Sequence, residues 1–177
     1  MKNNGKSFFI FSGITVMILG TALHFTYSIS GNNNFIALFS SINESTWEHL
    51  KLLFFPMLLT TIIGYNSIYK SSCCFLFARA FGIFISISFT IIFFYTYSGI
   101  LGKNIPLIDI SSFFLSVIIG EYTSCILIKN SIACDKKAAC IFLFILTICF
   151  FLFTFYPPHI GLFKDPVSGT YGIEKEL

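Results

Sequence analysis

Three histidines and a few carboxylates are the side chains in this sequence with the chemistry to hold a cation or run a reaction. They are His24, His49 and His159, with Glu44, Glu48 and Asp165 as the acids that can stand beside them. The densest grouping is 43–51, N-E-S-T-W-E-H-L-K, which puts two carboxylates, a histidine, a lysine and the only tryptophan into nine residues. Neutral imidazole is the commonest protein ligand for metals. Three imidazoles with a nearby carboxylate are what a catalytic zinc site uses when it leaves a position open for water. The residues therefore point to a divalent metal such as zinc on His24, His49 and His159. Glu44, Glu48 or Asp165 would then be ligand, general base or orienting partner. The spacing is not diagnostic, because E-x-x-x-E-H differs from H-E-x-x-H and ligands contributed one per element leave no local signature.

Each residue also has a structural reading. Ser45-Thr46-Trp47-Glu48 fits a capping box, with Ser45 as N-cap and Glu48 reaching back to its amide. Trp47 suits an interfacial anchor, and Lys51 a flank that snorkels toward headgroups. His24 could instead bond a neighbouring helix, and His159 could lie in a loop at headgroup level.

The elements that must position these groups follow from composition. The 177 residues are 55% hydrophobic and only 11% charged, with a mean hydropathy of +0.83. A soluble domain carries roughly a quarter charged residues. Apolar runs at about 8–29, 51–69, 75–97, 107–128 and 138–156 each approach or reach the roughly 18 to 20 residues that cross a bilayer. The expected fold is all-α, a polytopic membrane protein of five helices forming a single membrane domain over 1–177, with a tail at 157–177. The ten-residue alternation of a β-barrel is absent, and a net charge of +3 is too small for nucleic acid as a partner. The first apolar run could also serve as a signal peptide, but no A-x-A-like site follows it. The stretch 35–42 is too short to span and is expected at the interface or re-entrant. No internal repeat supports an inverted-repeat transporter.

Orientation follows from the basic residues. Lys2, Lys6, Lys70, Arg79, Lys129, Lys136 and Lys137 fall on one side of a five-span chain, against Lys51, Lys103, Lys164 and Lys175 on the other. This places the N-terminus inside and the C-terminus outside, in the cell membrane. Cys73, Cys74, Cys125, Cys134 and Cys140 then lie near the inner side, where thiols stay reduced. All three histidines face outward, as do Glu44, Glu48, Asp109, Asp165, Glu174 and Glu176.

Helical facing sharpens the choice among them. At about 100° per residue, His49 shares a stripe with Ser45, Thr60 and Gly64, and His24 shares one with Gly13 and Gly20. Small and polar residues face neighbouring helices in membrane bundles, so both imidazoles are expected to point inward and Lys51 toward lipid. Glu121 sits within the fourth span, where a carboxylate needs a partner. Arg79, one turn inside the antiparallel third span, is the expected one; a proton relay is the alternative. The tail carries turn residues, and it either folds over the outer mouth or remains a mobile end.

Taken together, H-F-x-Y at His24, N-E-S-T-W-E-H-L-K-L-L-F-F-P, P-P-H-I-G-L-F-K-D-P and T-Y-G resemble a family of uncharacterised bacterial integral membrane proteins, a domain of unknown function. The resemblance covers nearly the whole chain. It implies a small multi-span membrane protein and carries no activity, substrate or cofactor. The expected function is therefore argued from the residues alone: an outward-facing polar site, metal-binding or of a metal-dependent hydrolase-like kind. The alternative is a non-enzymatic protein that binds a partner, a lipid headgroup or a small solute. A third, weaker reading is a transporter with Glu121 as its proton-coupled group.

Overall fold

In hydrocarbon a chain can satisfy its backbone amides within one segment only as a helix, and the apolar runs do this. The computed structural model describes residues 3–67, 69, 73–130 and 134–173. Lys2, Lys70, Glu174, Lys175 and Glu176, used above for orientation, lie outside the described residues. The helices are α1 (Asn3–Ile29), the short α2 (Asn34–Ala37), α3 (Thr46–Ser67), α4 (Cys73–Leu101), α5 (Pro106–Asn130) and α6 (Lys136–Phe155). A 3-10 turn at Gly161–Phe163 follows. Five of these helices are long and apolar enough to cross a membrane. The chain is an all-α, multi-pass membrane protein.

The stretch 35–42 folds back on α1 rather than lying free at an interface. The Ser40 hydroxyl accepts from the Tyr27 amide at 3.1 Å and donates to the Leu23 carbonyl. Ala37, Ser40 and Ser41 are buried by this return.

That return changes the surroundings of Lys51. Its expected lipid-facing side is covered by the returning chain, and Lys51 is fully buried. Its ammonium donates to the Ala37 carbonyl at 2.7 Å and to Thr154 Oγ1 at 3.0 Å, and pairs with Glu48 at 2.5 Å. Helical facing alone assigns Lys51 to lipid because α2 has no place on a single-helix projection.

The capping box is half formed. Ser45 Oγ accepts from the Glu48 amide at 3.4 Å. Glu48 does not return the bond, since its carboxylate accepts from the Ile42 amide at 3.1 Å while the Ser45 amide donates to Asn43 Oδ1 at 3.0 Å. Trp47 also has a packing role. Its ring packs on Phe150 and Phe163, with centroids 4.6 and 4.8 Å away, so it joins α3 to α6 and to the tail.

Two features lock the lower bundle. Helices α4 and α5 touch at Gly82 and Gly120, where a Cβ on Gly82 would stand 2.5 Å from the Gly120 carbonyl. Beside them the fully buried Arg79 pairs with Glu121 and reaches Ser12 on α1 and Thr60 and Thr61 on α3. At the α4 start, Cys74 and Cys134 form a disulfide with Cα atoms 4.2 Å apart. The expectation of reduced thiols on that side therefore does not hold for this pair, because the loop before α6 lies directly against α4. Cys125, Cys140 and Cys149 are free.

Candidate metal centre

His24 lies near the end of α1, His49 in the first turn of α3, and Glu44 in the loop just before α3. The packing of α1 against α3 brings the two imidazoles together, with Nε2 to Nε2 at 3.2 Å. Glu44 closes the group, its oxygens 3.4 Å from His49 Nε2 and 3.8 Å from His24 Nε2. All three ligand atoms lie within 4.8 Å of one another.

The chemistry of His49 is set by its other nitrogen. Nδ1 is 3.0 Å from the Ser45 carbonyl oxygen. A carbonyl only accepts, so Nδ1 carries the proton, and in the neutral ring Nε2 is then the nitrogen with the lone pair facing the cluster. A backbone carbonyl on the far nitrogen is the usual support of a metal-ligating histidine.

A size test agrees. Two nitrogens on one tetrahedral zinc, each at 2.0–2.1 Å, would lie about 3.3 Å apart. The observed separation of 3.2 Å matches that span. The imidazoles are part-buried, Glu44 is more open, and all three side chains line the space beside them.

That space is a cavity of about 470 Å³ between α1, α3, α4 and α5. Its wall is mainly apolar, with Thr21, Thr90 and Ser112 in it, and His24, Glu44, His49 and Asp109 enter it from positions at or near helix ends and from a loop. Asp109, in the first turn of α5, accepts a hydrogen bond from the Tyr97 hydroxyl. The sequence places Asp109 on the same side as the histidines without giving it a role, and the structure puts it in the same cavity wall. Its only signal was an acidic residue in the first turn of a span, where a dipole explanation suffices.

The tail completes the site. Asp165 Oδ1 accepts from the Val167 amide at 2.7 Å and the Ser168 amide at 3.3 Å, which closes a tight loop. Lys164 and Tyr171 pair across that loop, and Val167 reaches the cavity wall. Asp165 Oδ2 also accepts from the Glu44 amide at 3.4 Å, and Asn43 Nδ2 donates to the Gly172 carbonyl at 3.1 Å. The tail thus holds the backbone of Glu44 in place.

Of the six residues with candidate metal or acid–base roles, the structure brings three together: His24, Glu44 and His49. His159 is outside the group, because the turn after α6 lays its ring against Tyr171, with centroids 4.6 Å apart. Glu48 is outside it too, turned across α3 to Lys51 and the Ile42 amide. Asp165 serves the tail backbone. Removing that carboxylate should loosen Glu44 without unfolding the bundle. If His24, Glu44 and His49 hold zinc, Asp165→Ala is expected to weaken the affinity about tenfold, the lower end of effects on groups supporting ligands, in a chelator competition titration.

The chain belongs to a family of unknown function, DUF6512, whose model matches residues 1–173. No curated protein and no solved structure matches it.

Proposed function

We propose that this protein carries a divalent-metal site of the zinc class, built from His24, Glu44 and His49, that opens into the bundle cavity. The supporting observation is the geometry: three ligand atoms from three separate segments converge within 4.8 Å. Two imidazoles and a carboxylate are a donor set of the catalytic zinc kind. A metal there would supply an acidified water to whatever the cavity holds. The reading is thus a hydrolase-like membrane protein, with Asp109 as the nearest further carboxylate lining the cavity.

A second reading, a non-enzymatic binding protein, is favoured by one observation. Glu48 and Asp165, two carboxylates suited to act as a general base, are already engaged by Lys51 and by backbone amides. The transporter reading loses its motive, since Glu121 accepts from Ser12 at 2.9 Å and is paired with Arg79.

We place the site on the outer face of the cell membrane because the basic residues concentrate on the opposite side. The Cys74–Cys134 disulfide on that opposite side weighs against this orientation, since cytosolic disulfides are rare. The site itself is the same in either orientation.

The test is metal analysis of detergent-purified protein. About one metal per chain is expected in the parent, from three protein ligands on one ion, and far less in His49→Ala and Glu44→Gln, with parent-like circular dichroism. The same substoichiometric content in parent and His49→Ala would sink the metal reading.

A further inference from the structure

We propose that the cavity beside this centre admits a phosphate-bearing lipid, its chain entering between α1 and α5 and its phosphate turned toward Lys103 and Lys164. The inference rests on the metal reading for what meets the polar end of the lipid. It rests on the cavity alone for where the chain goes.

The cavity opens sideways. Phe25 on α1 and Ile110 on α5 both line it, yet they are 55% and 56% exposed on the outer surface of the bundle. On membrane-spanning helices that surface meets hydrocarbon. The opening ends at Gly20, where α1, α3 and α5 converge. A Cβ there would stand 2.5 Å from the Leu52 carbonyl and 2.6 Å from the Phe113 ring.

Chemistry then selects the occupant. A polar solute would leave its hydrogen-bonding groups unmet along the apolar wall, which is costly. A molecule with an apolar chain and one polar end fits, because His24, Glu44, His49, Asn104 and Asp109 lie at or near helix ends or in the loops between them, while Leu53 and Phe113 line the wall farther along α3 and α5. The second cavity, about 320 Å³, shares Thr46, Phe94 and Asn104 with the first and adds Lys103 and Lys164. Two ammonium groups on the wall of that adjoining cavity suit a phosphate, which is held by charge-assisted bonds. A neutral headgroup would leave both lysines unused.

The experiment is native mass spectrometry of the full chain in detergent, with dioleoyl phosphatidic acid, dioleoylglycerol and inorganic phosphate as probes. Metal content is measured on the same samples. The parent is expected to retain phosphatidic acid about tenfold better than dioleoylglycerol, a difference readily resolved. Thr21→Trp fills the opening from an exposed position whose hydroxyl bonds only the Met17 carbonyl. It should cut phosphatidic acid retention about tenfold, with metal per chain unchanged. Lys103→Glu with Lys164→Glu should erase the preference for the phosphate lipid and spare the metal. Equal retention of both lipids by the parent overturns the inference, as does a Thr21→Trp variant that binds like the parent. Inorganic phosphate that displaces the lipid at equal concentration also overturns it, since the ligand would then be the free anion. If the parent shows the lipid pattern but holds no metal, the metal reading fails and the lipid site stands.

Discussion

Arg79→Ala is expected to lower the free energy of unfolding in detergent by about 3–5 kcal/mol, the cost of leaving a buried charge without its partner. Arg79 is fully buried and all three of its nitrogens are used. Nε donates to Thr61 at 2.9 Å, Nη1 to Glu121, and Nη2 to Thr60 at 2.9 Å and the Met57 carbonyl at 3.2 Å. One side chain on α4 therefore joins α3 and α5, and a 3.4 Å contact to Ser12 adds α1. Without it, Glu121 keeps, among the described residues, only the Ser12 hydroxyl as a donor. Arg79→Lys should be nearly as damaging, because a single ammonium cannot replace a planar fork of donors. Arg79→Met combined with Glu121→Gln removes both charges together and should recover most of the loss. Denaturant unfolding followed by circular dichroism reads all four proteins. An Arg79→Ala midpoint equal to that of the parent would remove the case for a structural pair.

Lys51→Met should cost a similar amount, about 3–5 kcal/mol, by the same physics at the other end of the bundle. The variant leaves the buried Glu48 carboxylate with the Ile42 amide and no countercharge. Glu48→Gln in the same chain should restore stability, since the amide oxygen can still accept from Ile42. The double variant also carries a functional readout. Glu48 is tied to Lys51 rather than to the imidazoles, so on the proposed metal reading Glu48→Gln/Lys51→Met should keep whatever metal the parent holds. Loss of metal in that stably folded double variant would return Glu48 to the ligand set.

Glu48 and Glu44 illustrate what can be read from sequence. Both lie just before or within the first turn of α3, and both look equally suited to a metal. Helical facing places His49 toward the bundle and separates it from Lys51, and the structure keeps that separation. It cannot choose between the glutamates, because Glu44 precedes the helix and its direction depends on the tail. The clasp from Asp165 to Glu44 crosses 121 residues of sequence. His159 fails for a related reason: facing outward at the correct depth does not carry a side chain across the mouth.

The sequence by itself determined the five spans, the need for a partner to Glu121 and the inward direction of His24 and His49. Each of these is a property of one helix in hydrocarbon: its length, its hydropathy and its angular spacing act locally and do not wait for neighbours. Only the tertiary structure decided that α2 would bury Lys51, that Glu44 rather than Glu48 would meet the imidazoles, and that His159 would rest on Tyr171. Those outcomes depend on how the segment 35–42 and a folded tail pack over helix ends. There the polar chain has many hydrogen-bonding choices, and contacts far apart in sequence select among them.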